Sequence, residues 1–228
     1  MRKNQVTLMW PTYIGEFYNP KHDEIKKDLL KFFEDYKKNN ENSRKGGTVH
    51  SPDDGIKKEN YKIDQDLYMS KYDLHSEKNK TYQDLMSFIS QGFIEMASKA
   101  NETERKDLKF NKENLKVVIN DSWFIDYKKG GFVLPHTHPR CSWNCVYYVQ
   151  VGDDANPTNG STFFQKSRPE NHTNDFGSKY NEQTMLKLKP AEGKLVIWPQ
   201  YVSHGSMPYE GSQNRIIVSA NAVIKNPQ

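Results

Sequence analysis

Two cysteines in 228 residues leave no disulfide framework. Cys141 and Cys145 stand four apart in a strand-like stretch, so they share a face, and a bridge within one short strand is geometrically unfavourable. A zinc site built on them would need two more ligands at suitable spacing, and no further Cys exists. They read as small apolar residues of a reduced, intracellular, cytoplasmic protein. No apolar run approaches the length of a membrane span, and no charged segment followed by an apolar stretch opens the chain. Neither a membrane partner nor a secretory leader is therefore expected. Charge of one sign is not in excess: 33 Lys and Arg stand against 29 Asp and Glu, a net charge of +4. The lysines are scattered, as at Lys26, Lys27, Lys37, Lys38, Lys57 and Lys58, without the clustering and interleaved aromatics of a nucleic-acid surface. Hydrophobic residues are scarce at 35%, and the mean hydropathy of −0.94 is polar for a globular protein. Aromatics compensate: 13 Tyr, 11 Phe and 4 Trp can supply a core that a disordered chain would lack. The length fits one domain spanning 1–228.

Residues 1–114 read as an extended opening segment and supporting helices. The stretch 6–18 has an apolar, aromatic bias and ends at Pro20. From His22 to Lys38, Ile25, Leu29, Leu30, Phe32 and Phe33 fall at helical spacings. Residues 39–61 carry Gly46-Gly47, Ser51-Pro52 and Asp54-Gly55 and predict a long polar loop. A second helix is expected over Thr81 to Ala100, with Thr81 as N-cap and an apolar stripe through Leu85, Phe88, Ile89, Phe93, Ile94 and Met96. From residue 115 the pattern turns to β. Strand-prone runs occupy 115–126, 143–151, 161–165, 185–188, 194–198 and 215–224, separated by Gly, Pro and Asn. Helices first and short strands after predict a mainly β, α+β fold. The strand region, 115–225, would form an antiparallel barrel or jelly roll with flanking N-terminal helices.

Three histidines draw attention. His136 and His138 lie two apart in PHTHP, a spacing that puts both imidazoles on one face of a strand. A His-x-His pair alone also fits the polar rim of a strand. His204 follows the strand-prone KLVIW and could bring a third nitrogen to the same point, leaving other metal positions open. Eleven residues on, Arg215 opens RIIVSANAVI, where alternation places Arg215, Ile217, Ser219 and Asn221 on one face. A buried Arg is costly unless it grips a carboxylate, which its planar fork does in bidentate fashion. His22, His50, His75 and His172 read as surface residues. Asp153 and Asp154 follow Gly152 in a turn and are the nearest alternative source of a carboxylate ligand.

The order His-x-His, third His, then Arg about ten residues later resembles the 2-oxoglutarate- and Fe(II)-dependent oxygenase superfamily. It resembles most its phage and bacterial branch with an "FPTPI"-type opening, here WPTYI at Trp10 to Ile14. The central block SWFIDYKKGGFVLPHTHPRCSWNCVYYVQV and the later block PAEGKLVIWPQYVSHGSMPYEGSQNRIIVSANAVI carry the likeness. NGSTFF, Asn159 to Phe164, stands where prolyl-hydroxylase-like relatives have a Gly-Gly-x-Thr-x-Phe strand. Two positions depart from the wider superfamily. His138 replaces a carboxylate, as it does in the close branch, and Ile217 replaces a Ser. The resemblance implies a double-stranded β-helix (cupin-like jelly roll) as catalytic core, and Fe(II) on His136, His138 and His204. It also implies 2-oxoglutarate held by Arg215, touched by Tyr148 and, in place of the missing Ser, by Ser219.

Molecular oxygen would be the co-substrate, and the product a hydroxylated small molecule or protein side chain. The branch also suggests a phage-encoded origin. Trp143, Tyr147, Phe164 and Trp198 are candidate pocket walls, and the segments 152–160 and 166–184 candidate lids. Two other readings fit the same residues less completely. One is a three-His cupin-type dioxygenase without 2-oxoglutarate, which gives Arg215 no task. The other is a β-helix binding module without turnover, which gives the histidines none.

Overall fold

The structure is a computed structural model that describes residues 11–43, 67–152, 154–166, 176–181 and 183–227. Among the described residues, ten strands form two antiparallel sheets. In chain order they are β1 (Gly15–Tyr18), β2 (Leu67–Met69), β3 (Lys116–Tyr127), β4 (Val133–His136), β5 (Trp143–Gln150), β6 (Thr162–Gln165), β7 (Met185–Leu188), β8 (Lys194–Pro199), β9 (His204–Ser206) and β10 (Arg215–Lys225). The larger sheet runs β1-β8-β5-β10-β3-β2 and the smaller β4-β9-β6-β7. This is the double-stranded β-helix that the strand pattern and the resemblance predict. Of the expected polar loop at 39–61, Asn39 ends the first helix and residues 44–61 lie outside the described residues, as do His50, Asp153, His172 and part of 166–184.

Two helices cover the outer face of the larger sheet. In α1 (His22–Asn39), Leu29, Phe33 and Tyr36 form the buried stripe. Asp23 and Glu24 in its first turn and Lys37 and Lys38 in its last complement the helix dipole. Phe33 stacks on Phe124 of β3 at a centroid distance of 4.3 Å. Helix α2 (Lys80–Glu104) starts one residue earlier than expected. Its N-cap is Asn79, not Thr81: the Asn79 side chain accepts from the Tyr82 N–H, an orphan donor of the first turn. Gly92 lets α2 sit close to β8, for a Cβ there would lie 2.8 Å from Leu195 Cδ2 and 3.0 Å from Ile197 Cδ1. No helix among the described residues is long and apolar enough to cross a membrane.

The larger sheet is apolar on both faces. Its outer face, with Phe124, Cys145, Tyr147, Leu195, Ile197 and Val218, packs under the helices. Its inner face, with Trp123, Ile125, Val146, Tyr148, Val196, Trp198 and Ile217, faces the smaller sheet. Strand alternation assigns neighbours to opposite sides. Tyr147 therefore belongs to the helix side, and Trp143 packs there too, so neither is a pocket wall. His22 is likewise not a surface residue. It is 6% exposed, with Nδ1 2.7 Å from the Tyr147 hydroxyl, and pins the start of α1 to β5.

Candidate active site

A pocket of about 520 Å³ opens between the sheets, within the range of small-molecule sites. Arg215, Ile217, Ser219 and Asn221 of β10 line it in strict alternation, as do Asp121, Trp123, Ile125 and Tyr127 of β3. His136, His138, His204 and Trp198 complete the part where chemistry is concentrated.

The three histidines converge. Each offers one nitrogen, and these lie within 4.8 Å of one another. His136 ends β4 and stands directly opposite His204 of β9 in the antiparallel ladder, where facing side chains are nearest neighbours. His138 arrives differently. The strand stops at His136, so the shared strand face expected from the spacing does not operate. The loop carries His138 inward instead, with its backbone N–H donating to the Gln200 carbonyl at 3.3 Å. His138 Nε2 then lies 3.2 Å from His204 Nε2. Two nitrogens bonded to one ion at ~2.0–2.1 Å, with angles near 90–110°, stand roughly 3 Å apart, so the pair has ligand spacing.

The opposite ring nitrogens face backbone carbonyls. His136 Nδ1 lies 2.9 Å from the Leu134 carbonyl, and His204 Nδ1 2.9 Å from the Val202 carbonyl. A proton on Nδ1 donating to these carbonyls turns the Nε2 lone pair toward the cluster, the arrangement usual behind metal-bound imidazole; at His204 the Trp198 indole N–H, 3.2 Å from Nδ1, competes for the same position. Burial, reinforced by the neighbouring His136, lowers the pKa of His138 to about 3, with the Asn221 side chain acting in the opposite direction. Burial, with His136 and His138, also pulls His204 well below its usual value. His138 and His204 are thus neutral at pH 7, the form that binds a cation. Trp123 stacks on His138, with centroids 5.7 Å apart and planes 20° apart, and Trp198 packs on His204 at 4.6 Å.

Arg215 is the largest fully buried side chain, 1% exposed. Its Nε and Nη1 have no hydrogen-bond partner, and no carboxylate pairs with it among the described residues. The guanidinium lies over the Tyr127 ring at 4.3 Å and beside the Tyr148 ring at 5.4 Å. Such contacts only partly offset the cost of burying a charge. Positive-φ Gly160 makes room here, since a Cβ on it would lie 2.7 Å from Tyr209 Cδ2 and 3.1 Å from Arg215 Cδ. Tyr148 is fully buried beneath Arg215, its hydroxyl 2.7 Å from Thr162 Oγ1, and does not line the pocket. Ser219 does. Phe164 backs the site through contacts with Trp198 and His204 rather than walling it. Asp154 is exposed and accepts from Asn159 Nδ2 within its own loop, away from the histidines. Asp121, Trp123 and Asn221 were not singled out by sequence as site residues. The alternation of β3 was the signal that could have found the first two.

Residues 121–221 match the family model described as a putative 2OG-Fe(II) oxygenase. No functionally curated protein matches the chain in sequence. Solved structures share the fold. A collagen prolyl hydroxylase of Paramecium bursaria Chlorella virus-1, in complex with 2-oxoglutarate, is 10% identical with a TM-score of 0.52, over 92% of this chain and 95% of that one. A prolyl-4-hydroxylase of Pseudomonas putida is 11% identical with a TM-score of 0.54, over 92% and 91%. HygX of Streptomyces hygroscopicus, with nickel, 2-oxoglutarate and hygromycin B bound, is 8% identical with a TM-score of 0.53, over 92% and 82%. The β core of the chain, residues 121–221, thus matches the 2-oxoglutarate- and Fe(II)-dependent oxygenase family, whose cofactors are iron and 2-oxoglutarate, and the histidine cluster lies inside the matched region.

Proposed function

We propose that the protein is a hydroxylase that holds Fe(II) on His136, His138 and His204 and the far carboxylate of 2-oxoglutarate on Arg215. The observation that carries this is the buried guanidinium, with two unpartnered nitrogens, in the same pocket as three converging imidazoles, two of them, His138 and His204, neutral. Iron and 2-oxoglutarate, when bound, supply the oxidising power: molecular oxygen and 2-oxoglutarate are consumed, succinate and carbon dioxide leave, and one oxygen atom goes to a substrate C–H bond.

The chain's own contribution is positioning and exclusion of water. Three imidazoles carry no charge, so a divalent ion here keeps its full positive charge and Arg215 adds another. A dianionic co-substrate is the complement of that field. His138, where the wider superfamily has a carboxylate, strengthens the preference. Tyr127 and Tyr148 flank the guanidinium and limit its rotation, which keeps its fork ready for a carboxylate. Ser219, on the same face of β10, offers a hydroxyl in place of the one missing at Ile217.

The test is a titration of the anaerobic iron protein with 2-oxoglutarate, followed by the metal-to-keto-acid charge-transfer band, then oxygen uptake with and without 2-oxoglutarate. A saturable band and 2-oxoglutarate-dependent uptake are expected. No band at millimolar 2-oxoglutarate would overturn the reading, and uptake persisting without it would favour a three-His dioxygenase.

A further inference from the structure

The pocket extends beyond the histidines, away from Arg215. Six residues of extended strand separate Arg215 from Asn221, roughly 20 Å, and both line the same cavity. The far end is walled by Tyr72, Asp121, Trp123, Arg140 and Asn221. Its polar groups are incompletely matched within the protein. Asp121 Oδ2 accepts from Asn221 Nδ2 at 3.1 Å, a neutral partner, and no cation pairs with it among the described residues. Arg140 makes no ion pair among the described residues. Trp123 is 5% exposed, and its indole N–H has no acceptor. Tyr72 sets its ring edge-on to Trp123 at 4.9 Å and remains 47% exposed.

The loop that presents Arg140 is held in an unusual shape. Arg140 has φ 60°, the one non-glycine at positive φ among the described residues. That conformation costs on the order of 1–2 kcal/mol and persists only where surroundings enforce it. Here Asn120 Nδ2 donates to the Arg140 carbonyl at 2.6 Å. Asn120 adjoins Asp121, so one segment of β3 fixes both the acidic and the basic side of the cavity mouth.

We infer that this end of the pocket is the substrate subsite and that it takes a free amino acid, recognised through its ammonium and carboxylate groups. The ammonium fits Asp121 and the Tyr72 ring face, since a carboxylate beside an aromatic surface suits a compact cation. The carboxylate fits Arg140 and the Trp123 N–H, a charged and a neutral donor. Asn221 holds Asp121 in place. With both ends of the zwitterion anchored at the mouth, the side chain of the amino acid is the part that reaches the histidines. The inference rests on the proposed oxygenase site for its reaction, but not for its binding chemistry.

The test is calorimetric titration of the full-length protein with each of the twenty proteinogenic amino acids, run on metal-free protein and on protein loaded with zinc and 2-oxoglutarate. For each binder, the matching decarboxylated amine, deaminated acid and N-acetyl amide are titrated. At least one amino acid should bind, and its three analogues should each bind at least about tenfold more weakly, the loss expected for one charged hydrogen-bonded contact. Asp121→Asn and Arg140→Gln should each weaken the amino acid by a similar factor while leaving 2-oxoglutarate affinity and melting temperature unchanged. No amino acid binding at millimolar concentration would overturn the inference, as would an N-acetyl amide binding as tightly as the free amino acid, the mark of a peptide substrate. Amino-acid binding without any 2-oxoglutarate binding would uphold the subsite and defeat the oxygenase site, so the two failures are distinct.

Discussion

Arg215 illustrates how one residue's energetics point to a ligand. A guanidinium 1% exposed with two unpartnered nitrogens is destabilising in the free protein. A carboxylate that supplies the missing partner recovers that cost on binding. Arg215→Ala should weaken 2-oxoglutarate by at least about 30-fold, from a truncation cost of about 2–5 kcal/mol, and leave iron affinity nearly unchanged. Arg215→Lys should fall between, because a point charge cannot reproduce the fork. Wild-type titration by the Ala variant would move the clamp to another residue. The histidines give a second residue-scale expectation, for metal-free protein. His138 is held at about 3 and His204 well below its usual value, mainly by burial, and burial lowers His22 as well. An unfolded histidine titrates near about 6.5. Above that pH both states are neutral and the three groups add no pH dependence to stability. Below it the unfolded chain takes up protons that the folded chain refuses, so stability falls from about pH 6.5 downward. The melting temperature should drop between pH 7 and 5, and His138→Asn should flatten the slope. An unchanged slope in that variant would show that His138 is not held neutral.

Strands and helices were legible wherever one residue pattern governed them. The stripes of α1 and α2 and the alternation of β3, β5, β8 and β10 are periodic over many residues, and the structure keeps them within a few positions. The three-residue strands β2 and β9 and the four-residue β4 are too short to show a period, and they exist because a neighbour supplies their hydrogen bonds. The N-cap of α2 is not legible in sequence because both Asn79 and Thr81 can cap, and only the backbone path decides for Asn79. Yet the short strands set the spacing of the site. In β9, Gly205 follows His204, and a Cβ on it would lie 2.6 Å from the Val133 carbonyl oxygen and 2.8 Å from Phe163 Cζ. One of those neighbours is backbone of β4, the strand that ends in His136. Gly205→Ala should therefore push β4 from β9 and separate His136 from His204. A destabilisation of about 1–3 kcal/mol is expected from overpacking, with a loss of metal affinity of at least about tenfold. Cobalt titration beside a denaturant melt measures both. Retained affinity in a destabilised protein would mean that the strands yield elsewhere.

At the scale of the whole molecule, the site lies between sheets, and this is why sequence revealed it only in part. His136, His138, His204 and Arg215 could be named because a spacing and a resemblance marked them. Tyr72 could not, because its approach to the pocket depends on how the segment after β2 meets the edge of the larger sheet. His22 looks like a surface residue in sequence because its polar neighbours do not reveal Tyr147 above it. The two-sheet construction also predicts a linkage between ligand and stability. β4, β9, β6 and β7 form the smaller sheet, so His136 and His204 sit there, whereas Arg215 belongs to the larger one. A metal bridging His136, His138 and His204 and a 2-oxoglutarate reaching from that metal to Arg215 would join the two sheets across the pocket. Binding to the folded state alone stabilises it by about 2.7 kcal/mol at a hundred times Kd. For a domain of this size each kcal/mol raises Tm by about 2–4 °C, so either ligand at that excess should add roughly 5–11 °C. The order of addition is informative. Metal alone should act fully, because its three nitrogens are in place. 2-Oxoglutarate without metal should act weakly, because only Arg215 then holds it. Together the shifts should exceed their separate sum, since the keto-acid end gains its partner only when metal is present. In Arg215→Ala the metal shift should survive and the added 2-oxoglutarate shift should shrink. Equal 2-oxoglutarate shifts with and without metal would show that the co-substrate does not bridge the sheets and that it binds at some other place on the protein.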